Sequence, residues 1–256
     1  MNNEYIVGHG FLPIEITPDQ HVLGSGQQKS PILQDRGQWL DFLPEGEWQA
    51  RRDFDTFACT VYSTLNPLEV LEKRIFGIQP NYAERFPYIG AGVTPPGSNP
   101  HIISEWIRSN GLIVEQTLPF DDTITSLDLY RQPSPFPTYM TVEGEKWHVA
   151  NDYKHEWAFD RHNLKEKQER LMEALRSSPL GVSVYAWVEE NGLYVKLDGA
   201  QDQHWTMCFG YEEGKYWLIF DSYHPYIKKL SWDFNFDFAK KYSITKKVIP
   251  VPVKRS

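Results

Sequence analysis

The chain has 256 residues, 41% of them hydrophobic and 14% aromatic, and its 26 Lys and Arg against 34 Asp and Glu leave a net charge of −8. That length and apolar content suit one large domain or two lobes sharing an interface, and the even mixing of charged and apolar residues argues against a disordered chain. The acidic balance and the lack of a Lys/Arg stripe leave no nucleic-acid footprint; the basic pairs Arg51-Arg52, Lys228-Lys229, Lys240-Lys241 and Lys246-Lys247 read as solvated surface.

No stretch approaches 18 consecutive apolar residues, so no membrane span is expected, and residues 1–11 lack the basic and apolar regions of a signal peptide. Two cysteines, Cys59 and Cys208, are too few for a secreted fold held by disulfides. A reducing compartment follows as the expectation, cytoplasmic by default, or a packaged protein if the gene is viral or phage-encoded.

Residues 1–48 carry scattered Gly and Pro and read as an irregular strap across the main fold. Their run Gly24-Ser25-Gly26 lacks the Gly-Lys-Ser/Thr ending of a phosphate loop. Asp55-Thr56 then offers N-cap oxygens, predicting a helix from about Thr56 with Cys59 in its first turn. Pro67 is expected to end or kink it, and a second piece with Leu68, Leu71 and Ile75 stops at Gly77. Ser98-Asn99-Pro100 opens the next helix, with Ile102, Ile103, Trp106 and Ile107 as its apolar face and Gly111 as its end.

Residues 112–158 show no clear period. A third helix is expected over 163–177, with Leu164, Leu171, Met172 and Leu175 inward. The remainder is strand-like: 181–188, a hairpin turn at Asn191-Gly192, a strand pair 205–211 and 215–220 joined through Glu212-Glu213-Gly214, and a last strand over 244–250. Helices first and strands after is an α+β order.

Three positions carry chemistry. A Cys in a first helical turn meets unpaired N–H groups that favour its thiolate. His204 begins a strand, and Asp221 ends the next one. On adjacent antiparallel strands a His and an Asp can meet, giving a general base and the carboxylate that orients it, here through the ring Nδ1–H. Cys208 lies four residues beyond His204 and reads as a core residue. No CxxC or HExxH pattern is present, and His148, Asp152 and His155, at near-helical spacing, are the one arrangement suggesting a metal. No cofactor or metal is expected.

These pieces resemble the papain-like cysteine peptidases. The run Ala58-Cys59-Thr60-Val61-Tyr62-Ser63 is similar to the family's nucleophile segment. The runs 204–211 and 216–223 are similar to its block of His, apolar strand, Gly-Tyr, turn, Tyr-Trp-Leu-Ile and Asn-Ser-Trp. The spacing from Cys59 to His204 fits the family's roughly 130–150 residues, and Asp221 falls slightly beyond it. The resemblance covers about 49–225 and implies a compact, disulfide-free relative of bacterial or phage type. Its domain is expected over 49–256, with a helical lobe (49–178), a β lobe (179–256), the site in the cleft between them, and 1–48 as a strap or short pro-like segment.

The resemblance further implies a catalytic triad of Cys59, His204 and Asp221 and hydrolysis of protein or peptide substrates through a thioester. Asp221 stands where the family has Asn, so Asp221→Asn is expected to keep substantial activity. Tyr223 stands where the family has Trp. The side-chain donor to the oxyanion is expected to be Gln49 if the loop between it and Cys59 bulges, since Asp53 or a neighbour occupies the usual spacing. Two rivals stay open: a Cys-His-Asp acyl transferase or amidase of transglutaminase-like kind, and a catalytically silent papain-fold protein kept for binding or structure.

Overall fold

The computed structural model describes residues 10–17, 20–23, 31–51, 53–159 and 164–247. Its centre is α1 (Cys59–Phe76), whose residues from Cys59 through Glu72 are all buried. The helix begins three residues later than predicted. Asp55 does not cap it; its Oδ1 accepts from Phe57 N at 2.7 Å, and Phe57 takes a positive φ of 56° that turns the chain into the helix. Pro67 neither ends nor visibly divides α1, because a helix buried on all sides gains more from packing than one lost backbone bond costs. Gly77 closes it in the left-handed conformation, its N–H bonded to Lys73 O.

Two helices follow, α2 (Arg85–Gly90) and α3 (Pro100–Asn110); α3 packs on α1, and α2 on α3. The α3 start follows its sequence, with the Asn99 side chain accepting from His101 N and Ile102 N and Pro100 at the first position. Ile103 and Ile107 face inward, while Ile102, expected on the same face, is exposed. The region without a clear period holds a short α4 (Leu127–Tyr130), α5 (Thr138–Ala150) and the strand β1 (Asn151–Trp157). Then comes α6 (Leu164–Leu175), burying Leu171, Ala174 and Leu175 but leaving the predicted inward Leu164 at the surface.

Seven more strands follow: β2 (Leu180–Val184), β3 (Val188–Glu190), β4 (Leu193–Val195), β5 (His204–Glu212), β6 (Tyr216–Phe220), β7 (Ile227–Ser231) and β8 (Ala239–Lys246). With β1 they form one sheet in the order β1-β8-β2-β5-β6-β7-β4-β3, antiparallel except for β4 on β7. β1 thus belongs to the sheet although it lies within the stretch expected to be helical. The strand predicted over 181–188 breaks after Val184. The last strand begins five residues early at Ala239, and 248–250 fall outside the described residues, as does the run at 24–26. Asn191 and Gly192 make the β3–β4 turn at φ 53° and 81°.

The core runs between α1 and the central strands. Ser63 Oγ donates to Trp205 O at 2.9 Å, tying α1 to β5. Of the basic pairs, Lys228, Lys240 and Lys241 are buried rather than solvated. The cause is strand register: in β7, Lys228 shares a face with the buried Leu230, while Ile227 and Lys229 are outward. Lys241 pairs with Glu156 at 2.8 Å, and Lys240 lies 3.9 Å from the centre of the Trp157 ring.

Candidate active site

Cys59 is the first residue of α1 and is wholly buried. The backbone N–H groups of Trp205 and Thr60 reach its sulfur. Burial pushes the thiol far above its ordinary range; the Trp205 N–H pulls against this, and the carboxylates of Asp55 and Asp221 add to it.

His204 opens β5 and Asp221 follows the last residue of β6, so the hairpin brings the two side chains together. The contact is His204 Nε2 to Asp221 Oδ1 at 2.6 Å. This corrects the expected use of Nδ1: the orienting bond falls on the far ring nitrogen. Nδ1 is buried and has no hydrogen-bond partner among the described residues. Trp187 meets the ring edge-on at 5.7 Å and Tyr223 packs at 5.5 Å, so both walls are aromatic. Asp221 is held below the usual carboxylate range: burial opposes its charge, but His204 and then Lys228 outweigh it.

Gln49 is buried beside these groups. Between it and Cys59, Ala50 bridges Asp55 and Arg51 N bonds Phe54 O at 2.8 Å. Gln49 Oε1 accepts from Ser222 Oγ at 2.6 Å, while Nε2 donates to Tyr223 OH at 2.7 Å and to Asp55 Oδ1 at 3.1 Å. Tyr223 OH in turn donates to Asp55 Oδ2. Both Gln49 amide hydrogens therefore have partners in this state. Burial and then Asp55 push the Tyr223 phenol well above its usual range, which keeps the hydroxyl a donor.

Residues 10–12 pack over Cys59. Ser98 N donates to Gly10 O at 2.9 Å, Leu12 N to Ser98 O at 2.8 Å and Phe11 N to Gln203 O at 3.2 Å. Phe11 thereby lies parallel to Ser98 and stacks on Trp205 at 5.3 Å. Gly10, at φ 139°, comes so close that a Cβ there would sit 2.7 Å from Cys59 Sγ and 2.9 Å from Phe57 O. Opposite, a Cβ on Gly97 would lie 2.0 Å from Gly10 O. Two glycines let the strap and the cleft wall meet over the sulfur.

Cys208 is a free thiol in the main core, bonded to Gly210 O at 3.6 Å and pushed by burial up to about 12. His148 belongs to α5, whereas Asp152 and His155 are on β1, so the three do not share a helical face. Among the described residues no group of three or more His, Cys, Asp or Glu could hold a metal ion. Sequence reasoning gives Trp187, Asp55 and Lys228 no role in the site. The signal for Lys228 is its spacing of two from Leu230; Asp55 reads only as a helix cap, and Trp187 lies in a predicted strand that ends at Val184.

No family profile matches the chain, and no curated protein does. Solved structures do. The digestive procathepsin L 3 of Tenebrio molitor larval midgut superimposes with a TM-score of 0.58 at 14% identity, over 84% of this chain and 75% of that one. The bromelain protease from Ananas comosus, solved with an inhibitor, gives 0.60 at 15% identity, over 80% and 97%. The helices packed on a large, mostly antiparallel sheet are the papain-like α+β fold.

Proposed function

We propose that the chain is a cysteine-type peptidase whose strap keeps it latent, with Cys59 as nucleophile, His204 as acid and base, Asp221 as the group that orients His204, and Gln49 as an oxyanion donor. The observation that carries this reading is the His204 ring fixed at Nε2 by Asp221, its buried Nδ1 without a hydrogen-bond partner among the described residues, one residue before the Trp205 N–H that reaches the Cys59 sulfur at the start of α1.

While the strap lies in the cleft, burial keeps Cys59 a thiol. Release of residues 10–12 lets water in and removes the largest cause of that shift, so the proton passes from Sγ to His204 Nδ1. The thiolate attacks a peptide carbonyl carbon. The Cys59 N–H and Gln49 Nε2 stabilise the oxygen as it becomes negative, Gln49 turning away from Asp55 to do so. His204 gives its proton to the leaving amine, and a thioester remains. Water, deprotonated by His204, hydrolyses the thioester to a carboxylic acid and returns the thiol. Asp221 holds the ring and takes no proton.

The test is hydrolysis of an unfolded protein substrate by the full chain, with Cys59→Ala and His204→Ala as controls. Both variants should keep the fold and lose the activity. With the strap released by Phe11→Ala, selective alkylation of Cys59 at pH 5–6 that disappears on adding His204→Ala is the matching chemical result. Alkylation of that released form confined to pH above about 8, where an ordinary thiol ionises, overturns the reading. The carboxylate at 221 favours one second reading, an amidase or acyl transferase. A product that forms only with an added amine distinguishes it from the peptidase.

A further inference from the structure

The triad carboxylate has a second partner. Lys228 Nζ lies 2.7 Å from Asp221 Oδ2, 2.8 Å from Tyr223 O and 2.6 Å from Pro225 O. Three acceptors match the three N–H bonds of an ammonium; a neutral amine would leave one of them unmet. Both side chains are shut off from water, at 1% and 0% exposure, and the Trp187 ring lies 5.0 Å from Nζ. The turn after β6 enforces the contact. Asp221 N donates to Tyr226 O at 2.7 Å, folding β7 back so that Lys228 returns beneath Asp221.

The carboxylate's duties are divided. Oδ1 accepts from His204 Nε2 at 2.6 Å and Ser222 N at 2.9 Å, while Oδ2 faces Lys228. The other titratable groups acting here are Cys59 at the start of α1, Asp55 from the preceding loop, Tyr223 from the loop after β6 and Tyr194 from β4. Among the described residues, Lys228 is the lysine or arginine that pairs with Asp221.

We propose that Lys228 is a positioning residue for His204: it neutralises Asp221, so that the ion pair does what an uncharged amide would do, fixing the ring at Nε2 without lending it a net negative charge. The inference rests on the peptidase reading for its effect on turnover, but its electrostatic part does not. It reverses the expectation drawn from the family's Asn. In Asp221→Asn the amide oxygen must stay on the Nε2–H. The amide N–H₂ then faces the ammonium, donor against donor, and a buried cation has lost its counter-charge. Replacing both partners removes the conflict.

The full chain is compared with Lys228→Met, Asp221→Asn and the double variant by two readouts. The first is the pH titration of the His204 imidazole by 15N shifts, assigned by its loss in His204→Ala; it needs no turnover. In Lys228→Met the midpoint should rise by about one pH unit, since an unbalanced carboxylate favours the imidazolium, and the double variant should return to within a few tenths of the parent. The second is hydrolysis. Asp221→Asn should lose about 100-fold in kcat/KM, the low end of what a misheld acid–base costs, and the double variant should recover to within about tenfold of the parent.

A Lys228→Met titration that superimposes on the parent overturns the proposal, as does an Asp221→Asn variant more active than the double. If Lys228→Met does not fold, the comparison of Asp221→Asn with the double still decides. Failure of the peptidase reading looks different: the parent does not hydrolyse, while the titration shift remains.

Discussion

Truncating Phe11 to Ala should expose Cys59 without unfolding the protein. Phe11 is buried, stacks on Trp205 and packs on Phe238 at 5.7 Å. Removing a buried Phe side chain costs about 3–5 kcal/mol. Here the loss falls on the closed state alone, because a released strap leaves the ring in water. Three backbone hydrogen bonds remain, each worth about 1 kcal/mol net, so the strap still prefers the cleft. At 1.4 kcal/mol per decade the open population, and with it the alkylation rate of Cys59, should rise by about two to three and a half orders of magnitude.

The assay is pseudo-first-order labelling by iodoacetamide at fixed pH, with each cysteine followed by peptide mass spectrometry. Cys208, buried in the main core, is the internal control: global unfolding labels both thiols, release of the strap only one. Equal labelling of the two, or a Cys59 rate within about threefold of the parent, refutes the reasoning. Gly10→Ala should act in the same direction, since its new methyl would meet Cys59 Sγ at 2.7 Å.

Asp55→Asn removes a negative charge that raises the Cys59 thiol, so in a Phe11→Ala background labelling should begin at lower pH than with Asp55 present; an unmoved profile refutes the assignment. Gln49→Ala should lower kcat by about 100-fold or more while leaving Cys59 alkylation in place, since an oxyanion donor acts after the thiolate has formed. Lys240, buried on Trp157, is pulled down to about 7 by burial. Between that value and the ordinary lysine range the unfolded chain binds the extra proton, so stability should rise with pH from about 7 to 10 and be lower on the acid side. In Lys240→Met, thermal unfolding should show that slope flattened and the midpoint at pH 7 raised.

The parts legible in sequence were those whose signal is local. Asn99-Pro100 and Gly111 bracket α3 because capping and left-handed closure involve only neighbouring residues. The hairpin of β5 and β6, which joins His204 to Asp221, follows from two apolar runs and a short turn. What escaped depends on distant packing. Pro67 breaks an isolated helix, yet α1 is enclosed on every side. Lys228 looks like surface beside Lys229 until strand register turns one inward and the other out. The ring nitrogen that meets Asp221 is set by how β5 and β6 are offset, which no residue identity encodes. The placement of Gly10 over Cys59 depends on Ser98 and Gln203, both far away in the chain.

The strap is a ligand carried on the same polypeptide, so its concentration at the cleft is fixed by tethering and does not fall on dilution. On the peptidase reading, a substrate must compete with it at every turnover. The apparent affinity for any peptide is reduced by the fraction of molecules that are open, and a tight substrate or a partner that captures the released segment would activate the protein simply by binding. Two-stage kinetics follow: a lag at low substrate that shortens with substrate and is insensitive to how much protein is present. Cutting the chain between the strap and α1 would convert that fixed local concentration into the ordinary bulk one, and dilution would then suffice to open the site.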